Sequence, residues 1–240
     1  MIKAVIFDVD GTLVDSNDLH VAAWREAFRC YGKEVSFEDV HGQMGKGGDQ
    51  LMPVFCTDEE LERFGGELEQ RRVALFKSDY LPRVRPFPRV RELFERAKAG
   101  GLQIALASSA KEEELEQHKK SMGVGDLLGA ATSADDAERS KPHPDIFQAA
   151  LAGLKGVAPA EAVVVGDTPY DAQAAAKAGM RTVGLLSGGF TEEVLRGAGV
   201  VAVYRDVSDL LDHYDESPLS EGWDEPAEGA RVERGRGKAG

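Results

Sequence analysis

Two carboxylates one residue apart stand at the end of an apolar run in Ile2-Lys3-Ala4-Val5-Ile6-Phe7-Asp8-Val9-Asp10-Gly11-Thr12. Residues at i and i+2 of a strand point to the same side, so Asp8 and Asp10 start on one face. Gly11 lets the chain turn and splay them around a common point. Acids that close repel unless a cation or a shared proton relieves them. A hard divalent cation such as Mg²⁺ suits the pair, because it takes oxygen ligands from a few carboxylates, water and phosphate.

Three more polar groups follow apolar runs. Ser108 comes directly after Leu102-Gln103-Ile104-Ala105-Leu106-Ala107. Lys141 lies in Ser140-Lys141-Pro142-His143-Pro144-Asp145, ahead of a helical pattern. Gly166-Asp167-Thr168-Pro169-Tyr170-Asp171 follows Ala162-Val163-Val164-Val165. A hydroxyl, an ammonium and further carboxylates around an aspartate pair make a phosphate site with a metal opposite.

The elements that must position these groups alternate. From about residue 85 the periodicity predicts helices at about 88–99, 111–122, 143–153 and 170–178, with strands at 102–107, about 127–131, 162–165, 182–186 and 200–203. Strands that are apolar throughout and separated by helices read as a parallel sheet covered on both faces. Ligands in such sheets lie beyond the carboxyl ends of the strands, where all these groups fall. Residues from about 15 to 80 read instead as helices, with segments at 58–65 and 66–80 and a glycine-rich stretch at 41–51. The fold class expected is therefore an α/β, Rossmann-like parallel sheet with helices on both faces. Residues 1–14 and 85–213 form its core, and 15–84 an all-helical insert. The stretch 214–240, rich in Glu, Asp, Gly and Pro, has little to bury and is expected to be disordered.

Composition narrows the partners. A net charge of −13, from 42 acidic and 29 basic residues, argues against nucleic acid or an anionic membrane. No apolar stretch is long enough to span a bilayer and no basic, then apolar, leader precedes the first strand, so the chain reads as cytoplasmic. Cys30 and Cys56 are too few for a disulfide framework or a zinc site.

The four segments together resemble the haloacid dehalogenase-like superfamily of phosphohydrolases, in the branch holding β-phosphoglucomutase and phosphoglycolate phosphatase-like enzymes. The resemblance spans about residues 1 to 210. It implies that Asp8 is the nucleophile, forming an aspartyl-phosphate, and that Asp10 is the general acid and then base. The neighbouring carboxylate raises one pKa of the pair, which would suit Asp10 to carry that proton. The resemblance also implies Mg²⁺ held by Asp8, the Asp10 carbonyl and Asp167, with Asp171 as ligand or supporting residue, and phosphoryl oxygens held by Ser108 and Lys141. The helical insert would be the family's small cap, hinged near 13–16 and 80–87, and would choose the substrate.

His20 matches in placement a mutase active-site histidine, or else is a half-exposed residue at a helix start. Lys46 either reaches a substrate anion or belongs to a solvated hinge loop, and Lys77 and Arg83 are further candidates. The mutase pattern carries a cap-loop arginine and Glu-Asp at the fourth motif. This chain has Gly47-Gly48 and Gly166-Asp167, which favours a phosphatase of a sugar phosphate or phosphoglycolate-like monoester. The resemblance implies a monomer. The alternatives are a phosphosugar mutase and, from another class, a phospho-accepting signalling module.

Overall fold

Side-chain alternation along the first strand sets the layers. In the computed structural model, which describes residues 1–220, β1 (Ala4–Phe7) sends Val5 and Phe7 into one apolar cluster and Ala4 and Ile6 into another on the opposite face. The short β2 (Val14–Asp15) and β3 (Arg85–Pro86) pair antiparallel, where the chain leaves the sheet and where it returns. The main sheet adds β4 (Gln103–Ala107), β5 (Ala130–Thr132), β6 (Ala162–Gly166), β7 (Arg181–Leu185) and β8 (Ala202–Tyr204). Its six strands are parallel, in the order β5-β4-β1-β6-β7-β8, so β1 lies inside with β4 and β6 as neighbours. Val, Ile, Leu and Ala supply these strands, as burial on both faces requires.

Helices cover both faces. Between β2 and β3 run α1 (Asn17–Cys30), α2 (Phe37–His41), α3 (Gly48–Phe55), α4 (Asp58–Glu60) and α5 (Gly66–Leu75). Then follow α6 (Val90–Ala99), α7 (Glu112–Met122), α8 (Asp145–Ala152), α9 (Pro169–Lys177), α10 (Glu192–Gly197) and α11 (Val207–Asp212). One side of the sheet packs on Leu93 and Phe94 of α6, Leu115 of α7 and Leu210 of α11; the Phe7 and Phe94 rings stack at 4.7 Å. The other side packs on Ile146 and Phe147 of α8 and on Ala174 and Ala175 of α9. Helices α1 to α5 hold a separate apolar cluster, including Val21, Trp24, Phe28, Leu51 and Leu68. The segment expected as helices at 58–65 and 66–80 is one nearly continuous rod, with π-type turns at Leu61–Gly65 and Phe76–Tyr80.

The expectation of disorder from residue 214 is corrected for its first part. Tyr214–Glu216 forms a 3₁₀ turn, and Tyr214 and Leu219 are buried in the main core. Arg96 lies 4.5 Å over the Tyr214 ring. Two apolar residues were diluted by the acidic, glycine-rich composition around them. Residues 221–240 lie outside the described residues. No described helix is long and apolar enough to cross a membrane.

Candidate active site

Strand register gathers the sequence-distant groups. Phe7 is level with Leu106 of β4 and with Val165 of β6. Asp8, one step beyond β1, thus emerges level with Ala107 and Gly166, one residue before Ser108 and Asp167. Asp8 is 5% exposed, and its amide donates to the Val165 carbonyl at 2.9 Å. Its Oδ1 accepts from Lys141 Nζ, and Lys141 also pairs with Asp171 Oδ1 at 2.7 Å. The Thr12 hydroxyl sits 3.0 Å from Asp8 Oδ2 and 2.6 Å from Asp167 Oδ1. Asn17 Nδ2 donates to Asp167 Oδ2 at 2.9 Å.

Space here is tight. A Cβ on Gly188 would stand 1.8 Å from Asp167 Oδ2. Gly11, at φ +77°, passes Asn17 and Asp167 where a Cβ would come within 2.3 Å of both.

Asp10 has different neighbours. Its Oδ1 accepts from Ser16 Oγ at 2.7 Å and lies 3.1 Å from His20 Nε2. Its Oδ2 faces Ser108 Oγ at 3.5 Å. The electrostatics follow. Burial, reinforced by the charges of Asp171 and Asp10 and opposed by Lys141, pushes Asp8 up to about 7. Burial also disfavours the charge on Asp10, yet His20, through its hydrogen bond and charge, together with His118 and Ser16, holds it well below the usual carboxylate range. This corrects the expectation that Asp10 is the member of the pair whose pKa rises. The imidazoles and the hydroxyl lie on its side, whereas further carboxylates lie beside Asp8. Burial and the charges of Asp8 and Asp171 raise Asp167 well above its ordinary value. Burial opposes charge on Lys141 as well, but Asp171 and Asp8 outweigh it and raise its pKa.

One ammonium among three buried carboxylates leaves negative charge uncompensated, and the donors are all oxygen. Asp8, Asp167 and Asp171 each offer an oxygen within 4.8 Å of the others. A hard divalent cation fits that set. Asp171 Oδ1 pairs with Lys141 and its Oδ2 accepts from the Thr168 amide and hydroxyl at 3.0 and 2.7 Å. It supports the site through Lys141, whereas the Thr12 hydroxyl bridges Asp8 and Asp167.

Of the candidates on the helical layer, His20 enters the site and is stacked on Phe76 at 3.8 Å between ring centroids. Lys46 lines the cleft above Asp8, 4.6 Å over the Tyr170 ring and 2.5 Å from Gln43 Oε1. Its loop is not a solvated hinge: Tyr170 donates to the Gly42 carbonyl at 2.6 Å, and the Gly47 amide donates to Ser140 Oγ at 3.0 Å. Lys77 pairs with Glu113 on the surface at 2.7 Å, and Arg83 covers Tyr80. Neither lines the cleft.

Ser16 and Asn17 belong to Asp15-Ser16-Asn17-Asp18, residue types that favour helix N-caps. Ser16 does stand at the N-cap of α1, but its side chain makes no capping bond and turns to Asp10 instead. Four successive cap-type residues, Asp15 to Asp18, where one suffices, were the available signal. Glu114 and His118 were passed over in a Glu-rich helix, although Leu115, His118 and Met122 mark its buried face.

The comparisons with known proteins agree with this geometry. The chain is 33% identical over 216 residues to Protein SUPPRESSOR OF QUENCHING 1, chloroplastic, of Arabidopsis thaliana, covering 87% of this chain but only 20% of that protein. It is 30% identical over 209 residues to the Phosphorylated carbohydrates phosphatase of Thermotoga maritima, covering 85% of this chain and 94% of that protein. The crystal structure of a hydrolase from Pseudomonas syringae superposes with a TM-score of 0.78 at 31% identity, over 90% of this chain and 99% of the other. The family profile described as haloacid dehalogenase-like hydrolase matches residues 5–185, from within β1 to the end of β7. That span holds every group gathered around Asp8, and the chain belongs to the haloacid dehalogenase-like hydrolase family.

Proposed function

We propose that the chain is a Mg²⁺-dependent phosphatase that hydrolyses a small-molecule phosphate monoester through an aspartyl-phosphate. The observation that carries this reading is Asp8 itself: a carboxylate buried at a strand end, gripped by Lys141 and Thr12, with Asp10 hydrogen-bonded by a separate set of residues. Asp8 attacks phosphorus while Lys141 and Ser108 bind the phosphoryl oxygens. Asp10 is held through Oδ1 by Ser16 and His20, and its Oδ2 faces Ser108, on the side of the groups that bind the phosphoryl oxygens. Asp10 passes a proton to the leaving oxygen through Oδ2, and the proton of the attacking water returns the same way. Mg²⁺, held by Asp8, Asp167 and the Asp10 carbonyl, would ionise the carboxylates and neutralise phosphate charge. The helical layer over the cleft serves as the cap that selects the substrate.

Three positions support a phosphatase over a mutase. A Cβ on Gly47 would meet Ser140 at 2.6 Å, and one on Gly48 would meet the Glu69 carboxylate at 2.5 Å, so an anchoring arginine in the loop would have to displace one of them. A Cβ on Gly166 would stand 2.6 Å from the Asp171 side chain, so a glutamate there displaces the partner of Lys141. The test is phosphate release from a panel of monoesters with Mg²⁺ and with a chelator, including β-glucose 1-phosphate with its bisphosphate activator. Free phosphate formed only with Mg²⁺ is the expected result. Isomerisation to the 6-phosphate without free phosphate would make the protein a mutase, and a stable phosphoprotein without turnover would make it a switch.

A further inference from the structure

Behind Asp10, three buried polar atoms have no hydrogen-bond partner among the described residues: Arg72 Nε, Glu114 Oε1 and His118 Nε2. They come from two layers, Arg72 from α5 of the helical insert and the other two from α7 of the core. The Glu114 side chain is 12% exposed and that of His118 only 2%. Glu114 Oε1 lies 3.8 Å from His20 Nε2 and 4.0 Å from His118 Nε2, and His118 Nε2 is 3.8 Å from Asp10 Oδ1. These spacings are too long for hydrogen bonds. The Arg72 guanidinium stands 4.9 Å over the Trp24 ring, within the fields of Glu114, Glu69 and Asp10. Arg72, Glu69 and Glu114 line the same cleft as Asp8 and Asp10. Buried polar groups in native proteins are paired, so this convergence marks a place built for a ligand.

We propose that Arg72 and Glu114, with His118 buried behind them, form the subsite for the leaving group, and that the subsite takes a neutral, polyhydroxylated carbon chain, a sugar or polyol, and rejects a leaving group bearing a second anion. The inference rests on the phosphatase reading and deepens it. The chemistry of the three atoms decides the ligand. A guanidinium N–H only donates, a carboxylate only accepts, and an imidazole nitrogen does either. A hydroxyl both donates and accepts, so neighbouring hydroxyls satisfy the guanidinium and the carboxylate that line the cleft at once. A second phosphate or carboxylate would accept from Arg72 but lie against Glu114 and Glu69, whose charges already balance the guanidinium. A plain alkyl chain would leave both unpaired. The position is right for a leaving group as well, since the three atoms cluster on the side of Asp10 that holds His20, the acid's own partner.

The test compares kcat/KM of the Mg²⁺-loaded wild-type enzyme on hexose and pentose phosphates and glycerol 3-phosphate, on propyl phosphate, on phosphoglycolate and on p-nitrophenyl phosphate. The best hydroxylated substrate should exceed both propyl phosphate and phosphoglycolate by about 100-fold or more, because a site built to hydrogen-bond a hydroxyl rejects analogues lacking it. Glu114→Gln and Arg72→Gln should each shrink that preference to below about tenfold, a ratio that general damage to the fold does not change. Hydrolysis of propyl phosphate or phosphoglycolate as fast as of every hydroxylated substrate would overturn the subsite while leaving the phosphatase intact. The wild-type comparison decides this even if the variants fail to fold. No turnover of any monoester, p-nitrophenyl phosphate included, would overturn the phosphatase reading and the subsite with it.

Discussion

Asp8 and Asp10 leave the same strand one residue apart, yet the fold surrounds them oppositely. Asp8 is enclosed with Asp167 and Asp171 around one ammonium, and burial pushes its pKa up to about 7. Asp10 meets a hydroxyl from the start of α1 and imidazoles from α1 and α7, which hold its pKa down. The lesson is that identical side chains acquire different tasks from what distant elements bring to them. In the proposed mechanism the carboxylate in the crowded acidic pocket takes the cation and acts as the nucleophile. The carboxylate among donors is the proposed acid, with Oδ1 fixed and Oδ2 facing Ser108.

The division of roles predicts unequal losses. Asp8→Asn removes the attacking oxygen and should lower turnover by about 10⁴-fold or more, with no phosphoprotein formed from any substrate and with the fold retained. Asp10→Asn should be milder, with turnover down by about 10² to 10⁴. With p-nitrophenyl phosphate, whose leaving group needs no proton, this variant should accumulate phosphoprotein, because the water attack still lacks its base. Mass spectrometry of the quenched enzyme reads the difference. An Asp10→Asn enzyme that never becomes phosphorylated would erase the distinction between the two aspartates.

Stability should separate them too. A carboxyl whose pKa is raised from 3.8 to about 7 on folding keeps its proton in the native state while the unfolded chain has lost it. In metal-free protein, Asp8 therefore costs stability as pH rises from about 4 to about 7, at about 1.4 kcal/mol per pH unit. Asp10, with its pKa lowered, contributes stability that is complete above about pH 4 and is lost below it. Melting temperatures of chelator-treated wild type should thus fall relative to Asp8→Asn across pH 4 to 7, and Mg²⁺ should remove most of that gap. Parallel pH profiles would mean that Asp8 is not strained by its neighbours.

Much of this was legible in the sequence, because the strands are apolar runs and the chemistry sits at their ends. Asp8, Asp10, Ser108 and Asp167 could be placed at the carboxyl ends of the strands by that rule alone, whereas Lys141, nine residues past β5, could not. The contrast between the two aspartates could not. It depends on Ser16, His20 and His118, which α1 and α7 deliver to Asp10 only after the chain has folded, and on strand register, which sets Asp167 beside Asp8. Local signals even misdirected, since Ser16 at a helix start reads as a cap. Tyr214 and Leu219, two apolar residues in a polar stretch, find their places only against α6 and the sheet.

Ser16 gives the smallest and most diagnostic test. A serine that only caps α1 would, on mutation to alanine, cost about 1 kcal/mol of stability and leave the kinetics alone. Here the hydroxyl is buried, makes no capping bond and donates to Asp10 at 2.7 Å. Ser16→Ala should therefore loosen the acid rather than the helix. A lost hydrogen bond to a charged group is worth about 1.5–3 kcal/mol, so kcat/KM for an alkyl phosphate should fall by about tenfold or more. For p-nitrophenyl phosphate, which leaves without protonation, kcat/KM should fall about twofold or less, because that ratio reports the step before water attacks. An equal fall on both substrates would return Ser16 to a structural role and leave the histidines as the groups that set Asp10 apart from Asp8.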